Sequence, residues 1–186
     1  RAQWLNARQG QYQVLVRGLV AGGQVDEGRE IASISRALIA SQQWSEVLEV
    51  ATSADLRWIV SNVTEAGYGL VTGDVIGAPQ SFSAKLTAVL KARYDAGYPG
   101  VPILPCELIE ENGERLLELV LQQAATWQLG QDFVDWLSGE CFWPNALVDR
   151  IVSSPPDGHP LVVADPLLAV AEPFALWAIE QFEGLE

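Results

Sequence analysis

The stretch VPILPCEL, residues 101–108, is a short apolar run set between two helical patterns, and that setting decides the fold. On its N-terminal side Leu86, Val89, Leu90 and Tyr94 recur on one face from Ser83 onward, until Gly97 and Pro99 stop the pattern. On its C-terminal side Asn112-Gly113 opens a long amphipathic helix in which Leu116, Leu119, Val120, Gln123, Ala124 and Trp127 share a face, ending near Gly130. The run therefore reads as a strand, irregular at its ends because of its two prolines. One step farther out, residues 56–60 (LRWIV) form an apolar run bounded by Asp55 and Ser61-Asn62, as suits a buried strand of a parallel sheet. Residues 133–137 give another helical turn or two, and residues 142–152 (FWPNALVDRIV) a further strand. Strand, helix, strand, helix, strand at this spacing is the pattern of βαβ units. It predicts an α/β class with a doubly wound, mostly parallel sheet and flanking helices.

The two ends of the chain are read separately. Residues 11–19 (QYQVLVRGL) are β-branched and aromatic, Gly22-Gly23 marks a tight turn, and residues 30–39 supply a return strand. Residues 41–51 place Trp44, Val47, Leu48 and Ala51 at helical spacing behind Ser41 as N-cap. After Ser153 the sequence SSPPDGHP is a turn-rich linker, and residues 161–179, with Pro166 and Pro173, read as an extended passage toward a further domain. The expected division is thus residues 1–152 and residues 153–186. With no Met in the chain, the sequence is expected to be part of something longer.

The 186 residues are 49% hydrophobic and carry 24 acidic against 11 basic side chains, a formal net charge of −13. A chain of this length and apolarity can bury a sizeable core. Without a basic stripe, its field repels phosphate backbones, so nucleic acid is not an expected partner. No apolar stretch approaches the roughly 20 residues that span a bilayer, and the N-terminus lacks the pattern of a signal peptide. The expectation is a cytoplasmic protein with no membrane partner. Cys106, Cys141 and His159 are too few for a disulfide framework or a zinc set.

In an open parallel sheet, ligands bind outside the carboxyl ends of the strands. Three such exits are visible. The first, residues 61–68 (SNVTEAGY), offers Ser61, Asn62, Thr64 and Glu65 before a glycine. These groups either satisfy turn backbone or hold a ribose or polyol. The second, residues 107–113 (ELIEENG), places Asn112 where it either caps the next helix or donates to a developing alkoxide. Its run of Glu107, Glu110, Glu111 and Glu114 is explained by solvation and the helix dipole. At the third, Asp149 and Arg150 form either a structural ion pair or a unit that positions a polar ligand. His159, in the linker, and Cys106, a small apolar filler, are given no role. No G-x-G-x-x-G joins a strand to a helix, and there is no P-loop.

At these same exits the sequence resembles the long-chain mannitol dehydrogenase family, which includes the hexuronate reductases. The matching stretches are SNVTEAGY (61–68), SFSAKLTAVLKARYDAG (81–97), LPCELIEENGERL (104–116) and NALVDRIV (145–152), with YQVLVRGL (12–19) and AEPFALWAIE (171–180) at the ends. Within the family, PCELIEENG looks more like the tagaturonate reductase (altronate oxidoreductase) branch than the mannitol or fructuronate branches. The resemblance implies a Rossmann-like domain, incomplete at its N-terminal end, whose glycine-rich turn precedes this chain and whose helical partner domain, with a catalytic Lys, follows it. It implies NAD as cofactor, a sugar acid or polyol as substrate, and no metal. It assigns Asn112 and Asp149 to the catalytic set, and Ser61, Asn62, Thr64 and Glu65 to the cofactor cleft. The isolated chain would then bind NAD weakly and be inactive. The alternatives are a fructuronate reductase, a polyol dehydrogenase, or a non-catalytic Rossmann-like binding domain.

Overall fold

The computed structural model describes residues 1–156 and 158–182; Asp157 and residues 183–186 of the second expected segment lie outside the described residues. The fold is α/β, and the chain divides into two compact units, Arg1–Ile39 with Asp149–Leu176, and Ala40–Val148 with Trp177–Glu186. Both units draw on residues from either side of the expected 152/153 boundary.

The first unit is a four-stranded sheet. Helix α1 (Ala2–Ala7) leads into β1 (Tyr12–Val20), which pairs antiparallel with β2 (Gly23–Ile31). Ala21 and Gly22 both take positive φ, 49° and 82°, the backbone that a two-residue hairpin turn requires. The turn thus sits one residue earlier than Gly22-Gly23, and the return strand is residues 23–31 rather than 30–39. Tight-turn register fixes the pairing, so β2 forms although nearly all its side chains are exposed. Residues 161–179, expected to be extended, instead return to the sheets. Helix α6 (Pro160–Ala164) precedes β7 (Ala169–Ala171), which lies parallel to β1, and β6 (Val152–Ser153) pairs antiparallel with β7. Leu15, Leu168 and Val170 form this unit's core. Buried Asp165 ties it together, its carboxylate accepting from the N–H groups of Gln13 (2.6 Å) and Leu167 (2.9 Å). His159 Nδ1 accepts from Leu161 N–H at the start of α6, a local cap.

The second unit carries the expected parallel strands. Helix α2 (Trp44–Ala51) begins after Gln43, not Ser41. Strand β3 (Ile59–Ser61) pairs in parallel with β4 (Ile103–Pro105), in the register Ile59↔Ile103, Val60↔Leu104, Ser61↔Pro105. A parallel bridge between Pro102 and Phe142 extends the order by one more strand position. The regular ladder is shorter than the apolar runs that announced it. Pro105 has no N–H to donate, and the run before β3 is held in a turn, with Leu56 N–H on the Ser53 carbonyl. Residues 142–152 likewise break into the Phe142 bridge, β5 (Ala146–Asp149) and β6, with Pro144 interrupting; β5 pairs with β8 (Leu176–Ile179).

Three helices cover the parallel pair. Helix α3 (Phe82–Asp95) starts at Ser81, whose hydroxyl accepts from Ala84 N–H; α4 (Asn112–Thr126) and α5 (Gln131–Gly139) follow β4. The helical face foreseen in α4 is the one buried: Leu116, Val120 and Ala124 pack with Leu86, Leu90, Ile103, Phe133, Trp136 and Leu137. Arg93 is buried at the end of α3 without a carboxylate. Its guanidinium donates at 3.0 Å to the carbonyls of Ala51 and Ser53, which serves the C-terminal end of α2, and at 2.8 Å to the Pro99 carbonyl in the loop after α3.

Candidate functional site

The parallel register places Ser61 beside Pro105, so the loops after β3 and β4 leave the second unit at the same end of the same pair. Cys106 N–H on the Ser61 carbonyl (2.8 Å) carries the pairing one residue further. Beyond that point the two loops are joined by Glu107. Glu107 as a residue is 4% exposed. Oε2 accepts from the Ser61 hydroxyl at 2.9 Å and from the Tyr68 hydroxyl at 3.1 Å, and Oε1 accepts from Val63 N–H at 2.8 Å. Solvation and the helix dipole therefore do not account for this residue. Glu110, Glu111 and Glu114 are exposed as expected, whereas Glu107 is a buried brace. Burial and the Glu107 charge push the Tyr68 phenol well above its ordinary value.

Asn112 is 1% exposed and fully engaged. Its Nδ2 donates to the carbonyls of Glu107 (2.9 Å) and Ala146 (2.7 Å), and its Oδ1 accepts from Ala146 N–H (2.9 Å). The carboxamide is not the helix cap, and both its protons are engaged by carbonyls of the chain. A second asparagine reciprocates: Asn145 Oδ1 accepts from Gly113 N–H at 3.0 Å, while its own N–H and Nδ2 donate to the Glu180 carboxylate at 3.1 and 3.2 Å. This exchange draws the start of α4 against residues 143–146. A Cβ on Gly113 would lie 2.3 Å from the Trp143 carbonyl oxygen, so glycine is required there for the approach. Glu111, just before the helix, adopts φ 53°, the left-handed region.

The polar residues of the β3 exit divide. Ser61 is buried and spent on Glu107, while Asn62, Thr64 and Glu65 are exposed, with Glu65 opening a short 3-10 turn (Glu65–Gly67). Glu65 and Tyr68 line a cleft of about 500 Å³ together with Ile109, Glu110, Arg115 and Glu118. Arg115 supplies a cation among three carboxylates. A second concavity of about 390 Å³ shares Ile109 and Glu110 and reaches Asn112, Leu147 and Ile179. Ala84 N–H in the first turn of α3 is taken by the Ser81 hydroxyl, Gln80 N–H just before it by Asp74, and Gly113 N–H in the first turn of α4 by Asn145 Oδ1. What this rim offers is therefore hydroxyl, amide and carboxylate groups suited to ribose or polyol hydroxyls, rather than a phosphate cradle.

Asp149 belongs to the first unit, exposed at the last residue of β5. Arg150 does not pair with it: Nε and Nη2 donate to the Glu172 carbonyl at 3.1 and 3.0 Å. Among the described residues, no three His, Cys, Asp or Glu side chains converge to hold a metal ion, and no helix is long and apolar enough to cross a membrane.

The family described as the mannitol dehydrogenase Rossmann domain matches residues 3–185. Altronate oxidoreductase of Halalkalibacterium halodurans is 42% identical over 92% of this chain and 36% of its own length. Those of Bacillus subtilis and Yersinia pestis are 39% and 38% identical, over 95% and 97% of this chain and 39% and 40% of theirs. The chain thus spans well under half the length of these relatives. Among solved structures, a D-sorbitol dehydrogenase in substrate-free form superimposes with a TM-score of 0.82 at 22% identity, covering 100% of this chain and 42% of its own. The Pseudomonas fluorescens mannitol 2-dehydrogenase ternary complex with NAD and D-mannitol gives 0.82 at 24% identity, covering 97% and 40%. These two likenesses establish the fold.

Proposed function

We propose, since the chain belongs to the mannitol dehydrogenase family through its Rossmann domain, that it is the nucleotide-side domain of an NAD-dependent oxidoreductase interconverting tagaturonate and altronate. Relatives at 38–42% identity carry the name altronate oxidoreductase, and the mannitol 2-dehydrogenase of the same fold was captured with NAD. The observation that carries the reading is the register Ser61↔Pro105, which sends both polar loops to one end of a parallel pair.

NAD supplies the hydride when bound. The residues of this chain bind and orient. Asn62, Thr64 and Glu65, exposed on the β3 exit, hold cofactor hydroxyls. Asn112 fixes the β4 exit against Ala146 and acts as a positioning residue. Asp149 is assigned to the sugar-acid substrate. The protein is placed in the cytoplasm.

The test is a substrate panel on the full-length protein, following NADH oxidation with tagaturonate, fructuronate and fructose. Preference for tagaturonate by about tenfold or more in kcat/KM is expected, a difference of about 1.4 kcal/mol in transition-state binding. Preference for fructuronate or fructose would move the protein to a sister activity. Absence of both turnover and NADH binding would leave a non-catalytic binding domain.

A further inference from the structure

Glu107 is the one carboxylate of the β4 exit that the chain buries, and the proposed chemistry leaves it unused. All three donors that reach its carboxylate, Ser61 Oγ, Val63 N–H and the Tyr68 hydroxyl, come from residues 61–68. No cation appears among these contacts. Burying an anion on hydrogen bonds alone is costly unless each lone pair is well used. Here the bonds at 2.8, 2.9 and 3.1 Å span both ends of the β3 exit loop, from its first residue to the tyrosine that walls the cleft. Between those anchors lie Asn62, Thr64 and Glu65, all exposed.

We propose that Glu107 is a positioning residue for cofactor binding: it clamps the β3 exit loop from beneath so that Asn62, Thr64 and Glu65 are presented in one fixed arrangement. The inference rests on the reading of that loop as part of an NAD cleft. Its consequence is an effect on binding that no direct contact with the ligand would explain. A Gln at this position retains an oxygen for Val63 N–H, and the Ser61 and Tyr68 hydroxyls can turn to accept from its amide. An Ala retains nothing.

In the full-length protein, NADH affinity is measured by calorimetry, and loop order by hydrogen exchange of a peptide covering residues 61–68. Glu107→Ala is expected to weaken NADH binding about tenfold and to speed exchange in that peptide, with kcat at saturating NADH within about threefold of wild type. Glu107→Gln is expected to restore both readouts to within about threefold. Should Glu107→Ala fail to fold, Ser61→Ala removes one donor and must shift both readouts in the same direction by a smaller factor. Wild-type NADH affinity in Glu107→Ala, or in Ser61→Ala where that variant stands in, overturns the inference, as does a Glu107→Gln no better than Glu107→Ala. A wild-type protein that binds no NADH overturns the proposed function itself, and the clamp's purpose with it.

Discussion

The two loops that leave the β3–β4 pair are made of similar residues and do opposite things. The β3 exit turns Asn62, Thr64 and Glu65 outward, while the β4 exit turns Glu107 and Asn112 inward, where every polar atom of both side chains meets the chain itself. One loop presents and the other holds. A carboxylate or carboxamide at a strand exit is thus not evidence of ligand contact by residue type; burial and partners divide the two jobs.

The largest effect is expected on the holding side. Asn112→Ala removes the hydrogen bonds of a buried carboxamide and takes from the half-buried Ala146 the partners of both its N–H and its carbonyl, while the Glu107 carbonyl keeps Ile109 N–H at 2.8 Å. A loss of about 3 kcal/mol in stability follows, readable in denaturant unfolding, since each orphaned buried group costs about 1–3 kcal/mol. Gly113→Ala comes next, because the added carbon meets the Trp143 carbonyl at 2.3 Å. Separating α4 from residues 143–144 should cost about 2 kcal/mol in the same measurement. On the presenting side, Thr64→Ala and Glu65→Ala should stay within about 0.5 kcal/mol of wild-type stability, because exposed groups contribute little. Their effect should appear in NADH affinity of the full-length protein instead. A large stability loss there would erase the contrast between the loops.

The smallest effect is confined to alkaline pH. The folded state holds the Tyr68 proton more tightly than the unfolded chain, whose phenol titrates near 10.0, because the ring is partly buried and lies beside Glu107. The resulting stability is complete below pH 10.0 and is lost as pH rises toward the folded-state value. Tyr68→Phe should flatten the alkaline limb of a stability profile and leave the neutral region's slope unchanged.

Much of this was legible in the sequence because periodicity reports burial. The apolar faces of α3 and α4, the presence of a parallel pair near the runs at 56–60 and 101–108, though as strands of only three residues each, and the exit loops follow from spacing. The hairpin was misplaced because β2 has almost no buried face; its pairing comes from the Ala21-Gly22 turn. The C-terminal strands β7 and β8 were hidden because Pro166 and Pro173 made their region look extended, while their partners lie far back in the chain. Glu107 was missed for a related reason. It stands in a run of glutamates, and only the pairing of Ser61 with Pro105 reveals that it lies beneath the other loop. One signal was available: Cys106 and Leu108 separate it from the solvated glutamates and attach it to the apolar strand.

The central claim, that the exits of β3 and β4 together form the cofactor rim, is tested most directly by hydrogen exchange of the full-length protein with and without NADH. Slowed exchange in residues 61–68 and 106–113 on adding NADH is the expected result. Bound NADH that protects other segments while leaving these two unchanged would contradict it.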